Sequence, residues 1–144
     1  MLRLNPTPSP LDGTFEILDA FVFPALSVTP PPGLPLPNPF PAQPVPTGLA
    51  LDTVLNRLLI GELAGFPFVP GSANIFSKDG LNPPSQVLTG FSSITDLASG
   101  SDGSLYVLDY ASDFSQPIGN GSIWRVTAGG GRERIIDEIG RAHV

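Results

Sequence analysis

Apolar and polar residues alternate in short runs along most of this chain, and no window carries the 3.6-residue apolar period of an amphipathic helix. The pattern predicts strands, punctuated by Asp-Gly, Asn-Gly and Gly-Gly turns. Eight runs stand out: TGLALD (47–52), RLLIGEL (57–63), ANIFSK (73–78), SQVLTG (85–90), ITDLAS (94–99), SLYVLDY (104–110), GSIWRVT (121–127) and RERIID (132–137). The chain reads as all-β, with its strands in two sets of four.

The two sets superpose at an offset of 48 residues, which places Leu49 on Leu97, Ala50 on Ala98, Ile75 on Ile123, Phe76 on Trp124, Val87 on Ile135 and Leu88 on Ile136. Between these anchors LLIGEL lies 47 residues before LYVLDY, as expected where a turn gains one residue and the next loses it. An earlier echo, Asp12-Gly13-Thr14-Phe15-Glu16-Ile17-Leu18, resembles a fourth strand, with Leu2-Arg3-Leu4 as the strand before it. A four-stranded unit recurring about every 40 to 50 residues is the signature of β-propeller blades. A sandwich or barrel made from a duplicated four-stranded half is the alternative.

The expected fold is therefore a partial β-propeller of about two and a half four-stranded antiparallel blades. Residues 1–23 supply a half blade, 24–46 an inter-blade loop, and 47–90 and 94–137 whole blades. The blades are expected to stack face to face, with Leu49, Leu59, Leu97, Val107, Ile123 and Trp124 among the most buried side chains.

Ten of the 18 prolines fall within residues 24–46. Proline removes a ladder donor and pushes its predecessor toward extended backbone, so no helix or central strand is expected there. The stretch reads as a long loop between blades or as a polyproline ligand for a proline-recognising domain. Composition narrows the partners. A formal charge of −6, with 14% charged residues, repels phosphate backbones and argues against nucleic acid. There is no cysteine, hence no disulfide framework or thiolate metal site. No apolar run approaches the ~20 residues of a membrane span, and the opening residues show no signal peptide.

The segments PVPTGLALD, LLIGELAGFPFVPGSANIF, FSSITDLASGSDGSLYVLDYAS and GSIWRVTAGG resemble the ScyD/ScyE family, propeller proteins with NHL-like repeats first associated with bacterial gene clusters for the sunscreen pigment scytonemin. The resemblance covers most of residues 12–137, and Gly-Glu-Leu-x-Gly-Phe-Pro-Phe (61–68) is its most specific part. It implies an exported, periplasmic or extracellular protein closing into a ring of about six blades; it carries over no catalytic residues. The family's Asp-Gly turn before the second strand is replaced here by LDTVLNRLL, which puts the geometry of that turn in question.

Glu62 and Asp109 fall at the same place in the two units, near the end of the second strand. Acidic side chains there can converge on a propeller axis, where oxygen ligands suit Ca²⁺; the bland reading is a blade-to-blade hydrogen bond. Both are expected on one side of the stack, toward the channel, and Asp96 is a third candidate ligand. Phe66 and Phe68, in AGFPFVPG (64–71), could touch an apolar ligand or fold back over the adjacent blade. Asn120-Gly121-Ser122 matches a glycosylation acceptor, although Asn-Gly is first a turn signal. No nucleophile elbow, phosphate-cradling glycine motif or His-rich spacing is present, and the single histidine is His143.

Two functions remain open: a noncatalytic binding or assembly scaffold for a small molecule or protein, or a metal-dependent, lactonase-like propeller hydrolase or lyase. The ending Ile139-Gly140-Arg141-Ala142-His143-Val144 matches the translation of a common sequencing-library adapter. On that reading residues 139–144 carry no function and the chain is a fragment, able to self-associate through exposed blade faces.

Overall fold

The computed structural model describes residues 3–4, 17–19, 21–80, 82–111 and 121–139. The described residues form only strands and turns, and no helix among them is long and apolar enough to cross a membrane. In chain order the strands are β1 (Arg3–Leu4), β2 (Ile17–Asp19), β3 (Leu26–Val28), β4 (Phe40–Ala42), β5 (Val45–Asp52), β6 (Arg57–Leu63), β7 (Ala73–Lys78), β8 (Ser85–Phe91), β9 (Ile94–Ser99), β10 (Leu105–Asp109), β11 (Gly121–Val126) and β12 (Arg132–Ile139). Strands β5 to β8 make one antiparallel meander and β9 to β12 a second, each in sequence order. β1 pairs with β2, and residues 12–16 of the earlier echo lie outside the described residues.

The proline-rich stretch is not wholly a loop. β3 and β4 pair inside it, with Leu26 opposite Ala42, Ser27 opposite Pro41 and Val28 opposite Phe40. In an antiparallel pair alternate positions turn their N–H away from the partner, and a two-stranded ribbon is all edge. Pro41 can therefore stand at such a position without removing a ladder bond. At the other end, β12 runs through Ile139, which pairs with Gly121, one residue into the expected tail. Residues 140–144, with His143, lie outside the described residues, as do 112–120, with Asn120.

The turn between β5 and β6 shows why LDTVLNR replaces Asp-Gly without loss. Asp52 Oδ1 accepts the N–H groups of Val54 and Leu55, and Oδ2 accepts Arg57 Nε at 2.9 Å. Asn56 takes the left-handed conformation, φ 47°, that Gly103 takes at φ 78° in the corresponding turn of the second sheet. Asn tolerates that region better than other non-glycine residues, and the Asp side chain closes the loop.

The sheets pack chiefly through their first strands, β5 on β9, with β6 also against β9. Gly48 allows this approach: a Cβ there would lie 3.0 Å from backbone atoms of Asp96 and Leu97. A Cβ on Gly61 would lie 2.7 Å from Ile94 Cγ2. Thr47 Oγ1 donates to Ile94 O at 2.5 Å and Ser99 Oγ to Leu51 O at 2.6 Å, stitching the two strands together. Between the sheets lies the core, which includes Ala50, Leu59, Ile75, Phe91, Ile94, Leu97, Leu105, Val107 and Val126.

Burial corrects part of the expected core. Leu59, Leu97 and Val107 are buried, but Leu49 is 62% exposed and Ile123 and Trp124 are only partly buried. The corresponding pairs invert: Leu97 is 5% exposed where Leu49 is open, and Ile75 is 0% exposed where Ile123 is half-buried. Successive strand residues face opposite sides, so Leu49 projects from the face of the first sheet that the second does not cover. The sheets thus stack head to tail, the back of one repeat on the front of the next. Under that arrangement corresponding residues cannot both meet at a single interface. The uncovered front of the first sheet is capped in part by Phe21 and Phe23, which pack on Ile60, Phe76 and Leu58.

Candidate functional site

The chemistry-bearing side chains gather at the end of the stack where β6 and β10 finish. Glu62 is 1% exposed and Asp109 2%. The two occupy corresponding places, yet their surroundings differ. Asp109 accepts the backbone N–H of Ser93 through Oδ1 at 2.6 Å and that of Ser92 through Oδ2 at 3.2 Å. Ser92 and Ser93 are the link between the sheets, so this carboxylate latches the crossover. Burial pushes its pKa up, against the pull of those two N–H groups and of the Arg132 and Arg134 charges.

Glu62 has fewer partners. Its Oε1 accepts Asn74 Nδ2 at 2.7 Å, and that amide also donates to Ser72 O at 3.1 Å. Its Oε2 is buried with no partner among the described residues, and burial raises its pKa, against the Asn74 bonds. Part of the reason is in the sequence: one repeat before Ser92 stands Pro44, which has no N–H to give, while Val45, in the place of Ser93, is paired with Leu63.

Asp96 does not join them. It pairs with Leu108, whose side chain leaves β10 on the face opposite to Asp109, and its exposed carboxylate accepts the N–H of Leu97 at 2.8 Å. Among the described residues no group of three or more His, Cys, Asp or Glu side chains surrounds one point.

Phe66 and Phe68 sit at the same end in the β6–β7 loop. Phe68 N–H donates to Gly65 O at 2.8 Å, closing a turn through the cis Phe66-Pro67 bond. Phe66 packs edge-on against Phe40 of the proline-rich ribbon, centroids 6.0 Å apart, and against Phe68 at 6.2 Å. The aromatics fold back on the protein, but Phe66 remains 53% exposed. Gly65 is required by the close pass of this loop over the ribbon: a Cβ there would lie 1.9 Å from Gln43 O.

Strand β12 adds what the sequence reading missed. An open cleft of about 600 Å³ is lined by Pro70, Gly71, Gly90, Ser92, Asp109, Trp124, Arg132 and Arg134. Arg132 lies 3.7 Å above the Phe91 ring and 4.3 Å from that of Trp124, while Arg134 lies 4.5 Å from Trp124. Arg132 also donates to Thr89 O and Gly90 O at 3.0 and 3.2 Å, tying the last strand of one sheet to that of the other. The Arg-x-Arg alternation in RERIID was the available signal, since residues two apart share a strand face. A second cleft, about 250 Å³, opens at the other end of the stack, between the β5–β6 turn and the β11–β12 turn.

No family model, curated protein or solved structure matches the chain.

Proposed function

We propose that the two four-stranded sheets are neighbouring blades of a β-propeller of the ScyD/ScyE type, and that this propeller is an exported, noncatalytic binding or assembly scaffold. The observation that carries the propeller reading is the inverted burial of corresponding residues, Leu49 against Leu97 and Ile75 against Ile123. A duplicated sandwich related by a two-fold axis would present corresponding residues to one shared interface; head-to-tail stacking propagates and closes only by rotation. Contact concentrated at β5 and β9 makes the stack a wedge, narrow at the first strands, as blades are around an axis. The aromatic contact repeats as well. Phe91 packs edge-on to Trp124 at 6.4 Å, and Phe23 packs on Phe76, the residue corresponding to Trp124, at 4.9 Å.

The scaffold reading is supported by how Asp109 is used. Where a propeller hydrolase would present a metal ligand, its carboxylate is engaged by two backbone N–H groups of the inter-sheet link. Two measurements on the whole protein test the proposal. Electron microscopy is expected to show a closed ring; an open stack or an isolated two-sheet sandwich would overturn the blade assignment. Calorimetric titration with Ca²⁺ is expected to give no site dependent on Glu62 and Asp109. A tight site lost in the Glu62→Gln, Asp109→Asn protein would replace the scaffold by the metal-dependent reading.

A further inference from the structure

The cleft beside Asp109 differs from its surroundings in charge. The chain carries a net −6, yet the cleft walls hold two guanidinium groups, Arg132 and Arg134, against one carboxylate, Asp109. With Asp109 ionised the lining groups carry one net positive charge, which Asp137 offsets from outside the walls until a competing monoanion takes its place on Arg134. The remaining walls are an indole, Ser92 and the small or apolar residues Pro70, Gly71 and Gly90, largely suited to a carbon skeleton. The indole N–H of Trp124 is buried and finds no acceptor among the described residues. Arg132 is already committed to two backbone carbonyls, whereas among the described residues Arg134 is hydrogen-bonded to the exposed Asp137 alone, through Nη1 at 3.1 Å. An exposed pair of this kind is weak and exchangeable. A planar guanidinium held against an aromatic face is preorganised for two-point contact with a carboxylate.

We propose that this cleft binds a small organic monocarboxylate, its carboxyl group on Arg134 and its carbon body against the Trp124 and Pro70 walls. The corresponding place one repeat earlier cannot do this. There Gln86 stands for Arg134, and Phe76 is covered by Phe23. The site needs only the two stacked sheets and not a closed ring, so its failure would leave the blade assignment untouched.

Trp124 is the single tryptophan, so its emission reports on the cleft alone. The full chain is titrated with acetate, benzoate and inorganic phosphate at constant ionic strength. Both carboxylates are expected to change the emission saturably, benzoate at lower concentration than acetate and phosphate more weakly than either. Arg134→Gln is expected to weaken benzoate binding by about tenfold or more, through loss of the charge-assisted pair. Asp137→Asn removes the competitor for Arg134 and is expected to tighten binding, so the proposal stays testable if the Arg134 variant fails to fold. Absence of a saturable response to either carboxylate, phosphate binding as tightly as benzoate, or an Asp137→Asn protein that binds no better than the parent overturns it.

Discussion

Neutralising Asp109 and neutralising Glu62 should have opposite consequences, although the two carboxylates stand at the same place in successive repeats. In Asp109→Asn one oxygen can still accept Ser93 N–H, but the new amide turns an N–H₂ toward Ser92 N–H, which Oδ2 now accepts at 3.2 Å. One buried donor loses its acceptor and the other trades a charged acceptor for a neutral one. A cost of about 2 kcal/mol follows, since an unsatisfied buried group costs roughly 1–3 kcal/mol. In Glu62→Gln the Asn74 bond at 2.7 Å is retained, while a buried charge with one orphaned oxygen disappears. That change is expected to leave stability at pH 7 unaltered or to raise it by about 1 kcal/mol. Urea unfolding followed by Trp124 emission measures both. An Asp109→Asn protein as stable as the parent, or a Glu62→Gln protein losing as much as Asp109→Asn, would refute the distinction between a latched and an unlatched carboxylate.

Acidification should act in two stages. Glu62 and Asp109 have folded-state pKa values raised by burial, so the native form binds protons more tightly than the unfolded chain, and stability should increase as pH falls from neutral through those raised values. Asp102, held down to about 2 first by the Ser104 N–H and then by Arg125, and Asp52, lowered by the Leu55 N–H and Arg57 despite its burial, act in reverse below pH 3.8. A stability maximum on the acid side of neutrality is expected in urea titrations across pH, and Glu62→Gln should flatten its neutral limb; a monotonic loss on acidification would contradict this. Leu97→Ala should cost about 2–5 kcal/mol and Leu49→Ala no more than about 0.5 kcal/mol, because only the former empties the inter-sheet core. Equal losses in urea unfolding would count against the head-to-tail stack. Gly65→Ala should disturb the β6–β7 loop, since its Cβ would fall 1.9 Å from Gln43 O, and limited proteolysis should cut there faster than in the parent.

Strand positions were legible because the signals that fix them are local. Of the eight runs, those of β6, β7 and β9 match residue for residue and those of β5, β8, β10, β11 and β12 differ only at their ends, whereas β3 and β4 formed inside the proline-rich stretch where no strand was expected. Which face of each strand is buried was not legible. Alternation says that Leu49 and Ala50 point opposite ways, but not which side meets a neighbour, and the 48-residue correspondence invited equal burial for Leu49 and Leu97. The acidic pair was found by correspondence alone; its asymmetry could have been found too, from Pro44 standing where Ser92 stands one repeat later. Arg132 and Arg134 were passed over because charged residues on a last strand ordinarily read as solvated edge. Only the packing of Phe91 and Trp124 against their guanidinium planes gives them a place in a cleft.

Repetition explains why the place of that cleft could diverge between the two repeats without harm to the fold. In a head-to-tail stack each repeat must present residues that fit its neighbour, here Gly48 of β5 against the Asp96-Leu97 backbone of β9. Positions toward the later strands and the connecting loops carry less of that burden. At the first interface those positions are filled by Phe23 on Phe76, a closed apolar contact. At the second, Trp124 is left part-open under two guanidinium groups, and the proline that deprives Glu62 of a donor gives way to serines that satisfy Asp109. The same backbone position is thus a sealed joint in one repeat and a charged recess in the next. In a stack of repeats, positions at the loop end can change from one repeat to the next while the strands that carry the stack keep their places.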